Sequence, residues 1–260
     1  MTEQQEFYKC PRIALGIPSH DQWMAETALS VAALVGYTAE KYISQGAMEI
    51  RFVTCNGTIL GDMRNAIVEK ALDLECTHIL WIDADMKFPP NSLERLLLHS
   101  KPVVGCNYAR RRRPVRPTAA SLPTESNPNG ELIYEEGQTG LEEIQYLGMG
   151  LCLTETSVFS ALPKPWFFTG WNPKTEKSIG EDVHFFRMLP GIGCPVHLDH
   201  DLSRDVRHIG LHTYTHTDAL EDRPQVLAIQ ETANVDNELR RAEDSDSELA
   251  GEKRPDGPDS

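Results

Sequence analysis

The chain has 260 residues, of which 40% are hydrophobic and 25% are charged, and its formal net charge at pH 7 is −14. This composition is typical of a globular protein and excludes collagen-like, disulfide-stapled and fully disordered chains. No apolar run approaches the roughly 20 residues that a membrane span needs. The polar start does not resemble a secretory signal, and the six cysteines include no C-x-x-C pair. We therefore expect a cytoplasmic protein with reduced thiols.

Strands and helices alternate in the first hundred residues. Apolar patterns predict strands over 12–18, 49–54, 78–82 and 102–106, and helices over 23–42, 60–74 and 90–99. Ser19 is expected to cap the first helix, whose dense apolar residues predict burial on more than one side. Such alternation implies an α/β protein with a mostly parallel sheet and covering helices, and with ligands at the carboxyl ends of the strands.

The second part of the chain is less regular. Residues 110–140 are rich in Arg, Pro, Asn and Gly and are expected to form a long, mobile excursion. Beyond it, one strand is predicted over 145–154, short helices over 156–162 and 181–189, and short strands over 196–199 and 206–209. The acidic end has few apolar residues. We predict one domain over 1–217 and a tail over 218–260, largely disordered from about Asn237.

Two carboxylates follow the third predicted strand, within the run LWIDADM. In extended backbone, residues two apart face the same way, so Asp83 and Asp85 are expected to approach one divalent cation. Mg²⁺ or Mn²⁺ suits such a site, because these ions take a few carboxylates and complete their shell with water and phosphate oxygens. A polar loop without metal is the alternative.

The order of these parts resembles the GT-A glycosyltransferases, particularly family-2-like members from bacteria and bacteriophages. The matching pieces are the strand end at Pro18 and Ser19, GDMRN at 61–65, LWIDADMKFPP at 80–90, YLGMG at 146–150, GED at 180–182 and HIG at 208–210. The resemblance implies a Rossmann-like sheet and the transfer of a sugar from a nucleoside diphosphate sugar to an acceptor hydroxyl, dependent on Mn²⁺ or Mg²⁺. No P-loop or dinucleotide-binding motif is present.

The resemblance also assigns roles to individual residues. His208 is expected as a third metal ligand beside the two aspartates, with His212 and His216 as alternatives. The donor is expected to contact Pro18, Ser19, Arg64, Asn65, Asp83, Ala84, Gly148 and Gly150.

Three of these donor contacts, Arg64 and the two glycines, have a structural alternative. Arg64 is expected to fork onto the diphosphate, and its alternative is a surface pair with Asp62. Gly148 and Gly150 are expected to let the backbone approach the sugar or acceptor, and their alternative is a β-bulge.

The acid pair before the later helix is the candidate for proton transfer. In the resemblance, Asp182, supported by Glu181, is the general base that takes the acceptor's proton in an inverting reaction. A retaining reaction is one alternative. The other is that both residues serve only the helix start, where acidic side chains are favoured by the helix dipole.

A cationic tract follows the fourth predicted strand and comprises Arg110, Arg111, Arg112 and Arg113. It is expected to contact the donor phosphates, to grip an anionic acceptor, or to be a solvated loop. The acceptor is expected to be a glycan or another hydroxyl compound. Hydroxymethylated phage DNA is a lesser alternative, for which the protein would act in the host cytoplasm and the tract would contact phosphates.

Two rival functions remain open. A nucleotidyltransferase also uses paired aspartates and Mg²⁺, but it would normally carry a Gly-rich basic loop after the first strand, where this chain has IPSHDQW. A non-catalytic nucleotide-sugar binder would be expected to lose the metal carboxylates or the acid pair, and this chain has both.

Overall fold

The computed structural model describes residues 10–127, 130–173, 176–210 and 215–231. Its first part forms the predicted alternation of strands and helices. The elements are β1 (Arg12–Ser19), α1 (Ala25–Lys41), β2 (Glu49–Asn56), α2 (Leu60–Asp73) and β3 (His78–Ile82). Strand β1 pairs in parallel with both β2 and β3, as the alternating pattern predicted.

Helix α1 differs from its sequence-based prediction in two respects. It begins at Ala25, so Ser19 ends β1 instead of capping the helix, and the Ser19 hydroxyl donates to Asn56 Oδ1 at 3.4 Å. The helix buries a single stripe of residues, so the predicted burial on more than one side is wrong. Leu29, for example, lies outside the stripe and is 70% exposed. The buried residues are Thr27, Ser30, Val31, Leu34 and Thr38.

The second part contains shorter elements, several of which the sequence did not reveal. They are β4 (Met86–Lys87), α3 (Ser92–Leu98), β5 (Val103–Gly105), β6 (Leu141–Ile144), β7 (Leu151–Glu155), α4 (Thr156–Ala161), β8 (Gly170–Asn172), β9 (Lys177–Ile179), α5 (Glu181–Met188), β10 (Val196–Asp199), α6 (His200–Ser203), β11 (Arg207–His208) and α7 (216–231). The single strand predicted over 145–154 is wrong, because a loop that contains both Gly148 and Gly150 separates β6 from β7.

The described residues form a central seven-stranded sheet in the order β2-β1-β3-β7-β5-β10-β6. Five strands run in one direction, while β7 and β6 run against their neighbours. The predicted α/β class with a mostly parallel sheet is confirmed. Strand β5 does not extend the parallel set directly, because β7 lies between it and β3.

Both faces of the sheet are covered, and β3 lies at its centre. Ile79 and Trp81 pack into an apolar cluster on one face, while Leu80 and Ile82 pack into a second cluster on the other. All five residues of β3 are buried. Successive side chains of a strand point to opposite faces, so a strand covered on both sides is apolar throughout. This burial holds the end of β3 in a fixed position.

The predicted excursion over 110–140 contains isolated bridges but no named strand or helix in its described residues. Val115 and Ala119 within it are fully buried, so the segment packs on the body. Helix α7 packs against it through Ala219, across the predicted division at residue 217. That division stays a prediction, and the tail beyond Asn237 lies outside the described residues. Within the described part of the chain, no helix combines the length and apolarity that crossing a membrane requires.

Candidate active site

A cleft of about 600 Å³ lies at the carboxyl ends of β1 and β3. This is the edge at which open α/β sheets bind ligands. Seven of the residues selected from the sequence line the cleft, and Trp23 adds an aromatic wall. The seven are Pro18, Ser19, Asp83, Ala84, Asp85, Arg111 and His208. The fold thus gathers the end of the first strand, the aspartate pair and the late histidine around one cavity, while their roles stay predictions.

The two aspartates line the same cleft but pair with different arginines. Asp83 Oδ1 accepts a hydrogen bond from Arg64 Nη2 at 2.8 Å, whereas Asp85 Oδ2 pairs with Arg111 Nη2 at 2.6 Å. The chain turns after Ile82, and the amide of Met86 donates to the Asp83 carbonyl at 3.2 Å. The rule that residues two apart face the same way holds for extended backbone, and a turn breaks it.

His208 reaches Asp85 through a small ribbon in which β11 pairs antiparallel with β4. Its Nε2 lies 3.4 Å from Asp85 Oδ1, and its Nδ1–H donates to the carbonyl of Ala109 at 3.0 Å. The backbone carbonyl on Nδ1 orients the imidazole and directs Nε2 toward the Asp85 carboxylate. Burial by itself would raise the pKa of Asp85, but the hydrogen bond with His208 and the Arg111 charge outweigh it and lower the pKa.

Asp85 and His208 Nε2 therefore fit a divalent cation that takes its remaining ligands from water and a diphosphate. Among the described residues there is no group of three or more His, Cys, Asp or Glu side chains placed to hold a metal. The three-residue metal site of Asp83, Asp85 and His208 therefore stays a prediction, and in this structure Asp83 accepts a hydrogen bond from Arg64. Of the alternative ligands, His216 binds the carbonyl of Asn107 at 3.0 Å, and His212 lies outside the described residues.

Arg64 is buried, with 2% of its surface exposed, and it joins two predicted site carboxylates. Its Nη2 contacts Asp83, its Nη1 contacts Glu181 Oε1 at 2.9 Å, and the guanidinium lies 5.8 Å from the centre of the Phe167 ring. The alternative surface pair with Asp62 is not formed, because Arg64 is buried, and the fork onto a diphosphate stays a prediction. The arginine instead ties the end of β3 to the start of α5.

Asn65 likewise uses its side chain within the protein. Its Nδ2 donates to the carbonyl of Phe167 at 2.8 Å, and its Oδ1 accepts from the amide of Phe167 at 3.0 Å. Both polar groups of the amide are thus bonded to one residue of the backbone. In this structure Asn65 holds the segment before β8 instead of facing the cleft.

The acid pair at the start of α5 is divided between two environments. Glu181 faces Arg64; burial raises the pKa of Glu181, and the Arg64 charge opposes that shift. Asp182 lines a second cavity of about 370 Å³ together with Tyr108 and Gly148. Within the described residues, its Oδ1 accepts a hydrogen bond from the amide of the next residue, Val183, at 2.7 Å. Asp182 therefore faces a cavity, whereas Glu181 is engaged by Arg64.

Tyr108, which the sequence analysis did not select, separates the two cavities. Its hydroxyl accepts a hydrogen bond from the amide of Gly150 at 2.8 Å, and its ring lies edge-on to His208 with centroids 5.4 Å apart. A Cβ atom at Gly148 or Gly150 would lie only 2.4 or 2.6 Å from that hydroxyl. The Tyr108 hydroxyl leaves no room for a side chain at either position, which accounts for both glycines without a substrate. Both lie in a loop, so the alternative of a β-bulge is not formed. The rule that polar residues after a strand line the ligand edge, applied after Cys106, would have selected Tyr108.

The cationic tract does not act as one patch, because its side chains diverge. Arg111 reaches Asp85 in the cleft, and Arg113 forms an ion pair with Asp222 of α7 at 3.0 Å. Arg110 lines the second cavity, and Arg112 is exposed. The three expectations for the tract stay predictions, and each would involve a different member of it.

The described residues thus form an α/β fold with a cleft at the strand ends and an Asp–His pair on its wall. No protein-family profile matches the sequence, and no curated protein matches it either. Among solved structures, the crystal structure of A197 from STIV is similar, with a TM-score of 0.52 and 14% sequence identity. The similarity covers 79% of this chain and 93% of A197. At this identity the likeness shows the fold alone, which is GT-A-like.

Proposed function

We propose that the protein is a glycosyltransferase that moves a sugar from a nucleoside diphosphate sugar to an acceptor hydroxyl. The observation that carries this proposal is the placement of Asp85 and His208 Nε2, 3.4 Å apart, on the wall of the cleft at the strand ends. A pair of hard and imidazole ligands beside a cavity of nucleotide size is the arrangement that a donor diphosphate with its cation requires. The GT-A-like fold supports the same proposal.

Donor binding falls to the residues that line the cleft. Trp23, near the end of β1, offers an aromatic face for the base, and Arg111 carries positive charge to the position of the diphosphate. A Mn²⁺ or Mg²⁺ ion held by Asp85 and His208 would supply charge that stabilises the departing diphosphate. Arg111 contacts Asp85 Oδ2 while His208 faces Oδ1, so the two partners use different oxygens.

Transfer needs a base on the acceptor side, and Asp182 is our candidate. It lies in the second cavity, which Tyr108 separates from His208 and the cleft. The acceptor oxygen would attack the anomeric carbon, the bond from that carbon to the diphosphate oxygen would break, and the hydroxyl proton would pass to the Asp182 carboxylate. With Asp182 as the base, the proposed reaction is inverting.

The metal and donor proposal is tested by thermal stabilisation with UDP or GDP, with and without Mn²⁺. Asp85→Ala should abolish the Mn²⁺-dependent part of the stabilisation. Asp62→Ala is the matched control, because Asp62 is an exposed carboxylate in the first turn of α2. If Asp85→Ala keeps the full metal dependence, Asp85 does not hold the ion.

The role of Asp182 is tested by transfer rates with a panel of nucleoside diphosphate sugars. Asp182→Asn keeps the shape of the side chain but removes the base, so transfer should fall about 10²–10⁴-fold while donor affinity is retained. A normal rate in this variant would limit Asp182 to the helix start. The anomeric configuration of the product, read by NMR, then separates a retaining reaction from catalysis by Glu181.

A non-catalytic nucleotide-sugar binder is the second candidate, and one observation favours it. Asp83 and Asp85 are each paired with an arginine, which neutralises them without a cation. Such a protein would bind the nucleotide equally well without Mn²⁺ and would release no nucleoside diphosphate from any donor. The same two assays therefore distinguish it from a transferase.

A further inference from the structure

A third cavity adjoins the one that contains Asp182. It has a volume of about 630 Å³ and lies beside α5, and the two cavities share Arg110, Val183 and Arg187 in their walls. Their shared walls make them neighbours, so a molecule that meets Asp182 can extend into the larger space. A cavity of this volume accommodates a molecule well above the size of a monosaccharide.

One side of the larger cavity is apolar. Phe186 and Leu189 of the helical segment, Ile144 of β6 and Val196 of β10 line it, and all four belong to the hydrophobic core. Leu122, which is 44% exposed, lines it from the excursion. Apolar walls of this kind favour an apolar body over a strongly hydrated one, since burying apolar surface releases it from water.

Unpaired positive charge surrounds the passage between the two cavities. Arg110 and Arg187 form no side-chain ion pair or hydrogen bond within the described residues, in contrast to Arg111 and Arg113. Arg116 lies beside Arg110, since the Arg116 carbonyl accepts a hydrogen bond from the Arg110 amide at 2.8 Å. Burial, together with the charges of Arg110 and Arg112, lowers the pKa of Arg116.

Tyr146 lines the larger cavity together with Arg110 and Arg187. Burial and the Asp182 charge raise the pKa of Tyr146, and the charges of Arg110, Arg116 and Arg187 oppose that shift. Asp182 lines the smaller cavity with Arg110 and Arg187 but forms no ion pair with either within the described residues. Two arginines that have no ion-pair partner are stabilised when an anion binds between them, and arginine binds phosphate and carboxylate with fork geometry.

We propose that the acceptor carries an oxyanion group, a phosphate or a carboxylate, bound by Arg110 and Arg187 in the field of Arg116, and an apolar body that occupies the 630 Å³ cavity. The identification of this molecule as the acceptor rests on the proposed function, whereas the anion site rests on the positions of Arg110 and Arg187 in the cavity walls. The oxyanion lies at the passage, the apolar body extends along α5, and the reacting hydroxyl faces Asp182.

The test measures binding by calorimetry with three probes: octyl phosphate, octyl glucoside and inorganic phosphate. Octyl phosphate should bind more tightly than either of the others, because it alone has both the anion and the chain. Arg187→Gln and Arg110→Gln should each weaken it at least about tenfold, since a charged hydrogen bond is lost. Arg112→Gln, an exposed arginine of the same tract that lines neither cavity, should leave binding unchanged.

The apolar half of the proposal has its own variant. Leu122→Asp, at a partly exposed position, should weaken octyl phosphate while inorganic phosphate binds as before. Raising the salt concentration should weaken both phosphates but not octyl glucoside. Equal binding of octyl phosphate and octyl glucoside, or equal effects of Arg187→Gln and Arg112→Gln, would overturn the proposal.

Donor binding is measured in parallel, so that the two proposals fail separately. Stabilisation by UDP and Mn²⁺ without any arginine-dependent phosphate binding would overturn the anionic acceptor and leave the transferase proposal standing. Arginine-dependent binding of octyl phosphate without nucleotide binding would overturn the transferase proposal and support the anion site.

Discussion

Replacing Arg64 with methionine is the sharpest test of how the site is held together. The Arg64 side chain is 3% exposed, and its guanidinium contacts Asp83 at 2.8 Å and Glu181 at 2.9 Å. Methionine keeps much of the volume but leaves both carboxylates without their partner. Removing one member of a buried ion pair costs about 3–5 kcal/mol, because the remaining charge stays desolvated.

The exposure of the partners places the expected loss within that range. The Asp83 side chain is 26% exposed, so water can solvate part of its charge, whereas the Glu181 side chain is 14% exposed. We therefore expect a loss of about 3 kcal/mol in the free energy of unfolding for Arg64→Met, dominated by Glu181. Urea denaturation monitored by tryptophan fluorescence and circular dichroism measures this loss.

The loss should depend on pH, and its sign follows from Glu181. Burial raises the pKa of Glu181 above its ordinary value of 4.5, and the Arg64 charge lowers it, so the variant should have a pKa that is higher still. A carboxyl with a raised pKa contributes stability at low pH that is lost as the pH rises through the folded value. The difference between wild type and Arg64→Met should therefore be smaller at pH 5 than at pH 8.

A surface arginine provides the matched control. Arg12 pairs with Glu75 at 3.1 Å, but the two side chains are 38% and 76% exposed, so Arg12→Met should cost less than about 1 kcal/mol at either pH. If Arg64→Met costs no more than Arg12→Met, or costs the same at pH 5 and pH 8, the buried bridge does not hold the site.

Three further predictions concern other parts of the molecule. Gly150→Ala should cost about 1–3 kcal/mol, because the new Cβ would meet the Tyr108 hydroxyl at 2.6 Å, whereas Gly36→Ala in open space on α1 should stabilise by up to about 1 kcal/mol; urea denaturation measures both. The hydrogen bonds that His200 donates to Glu135 and Glu142 raise its pKa, so its contribution to stability is complete below pH 6.5 and is lost as the pH rises. The stability difference between wild type and His200→Asn should therefore shrink between pH 6 and pH 9, and a constant difference would contradict this account. Asp222→Ala removes the ion pair that fixes α7 to the excursion, so amide hydrogen exchange in α7 should accelerate while exchange in β3 stays slow.

Local patterns in the sequence determined most elements of the first half of the chain. The apolar run of β3 and the helical spacing of α2 predicted their types and approximate bounds, because each pattern reports which faces of an element must be buried. The alternation predicted parallel pairing of β1 with its neighbours, since a crossover helix returns each strand in the same direction. The position of the cleft at the carboxyl ends of the strands was also predicted, because open α/β sheets bind ligands at that edge.

Patterns of burial do not identify the partner of a strand, so strand order was harder to predict from the sequence. Strand β7 lies between β3 and β5 and runs against both, yet its apolar residues would suit either direction. The glycine-containing segment over 145–154 read as one strand, although Tyr108 occupies the space beside Gly148 and Gly150 and the chain there forms a loop. A clash with a residue about forty positions away leaves no trace in local periodicity.

The site depended on tertiary structure most of all. The sequence analysis selected Asp83, Asp85 and His208. The pairing of β4 with β11 places His208 next to Asp85, whereas Asp83 forms an ion pair with the buried Arg64. Long side chains such as arginine reach partners in any of several directions, and the packing of distant segments decides among them. Residue types therefore indicated the chemistry of the cleft, while the choice of ion pairs was made by contacts between elements that lie far apart in the chain.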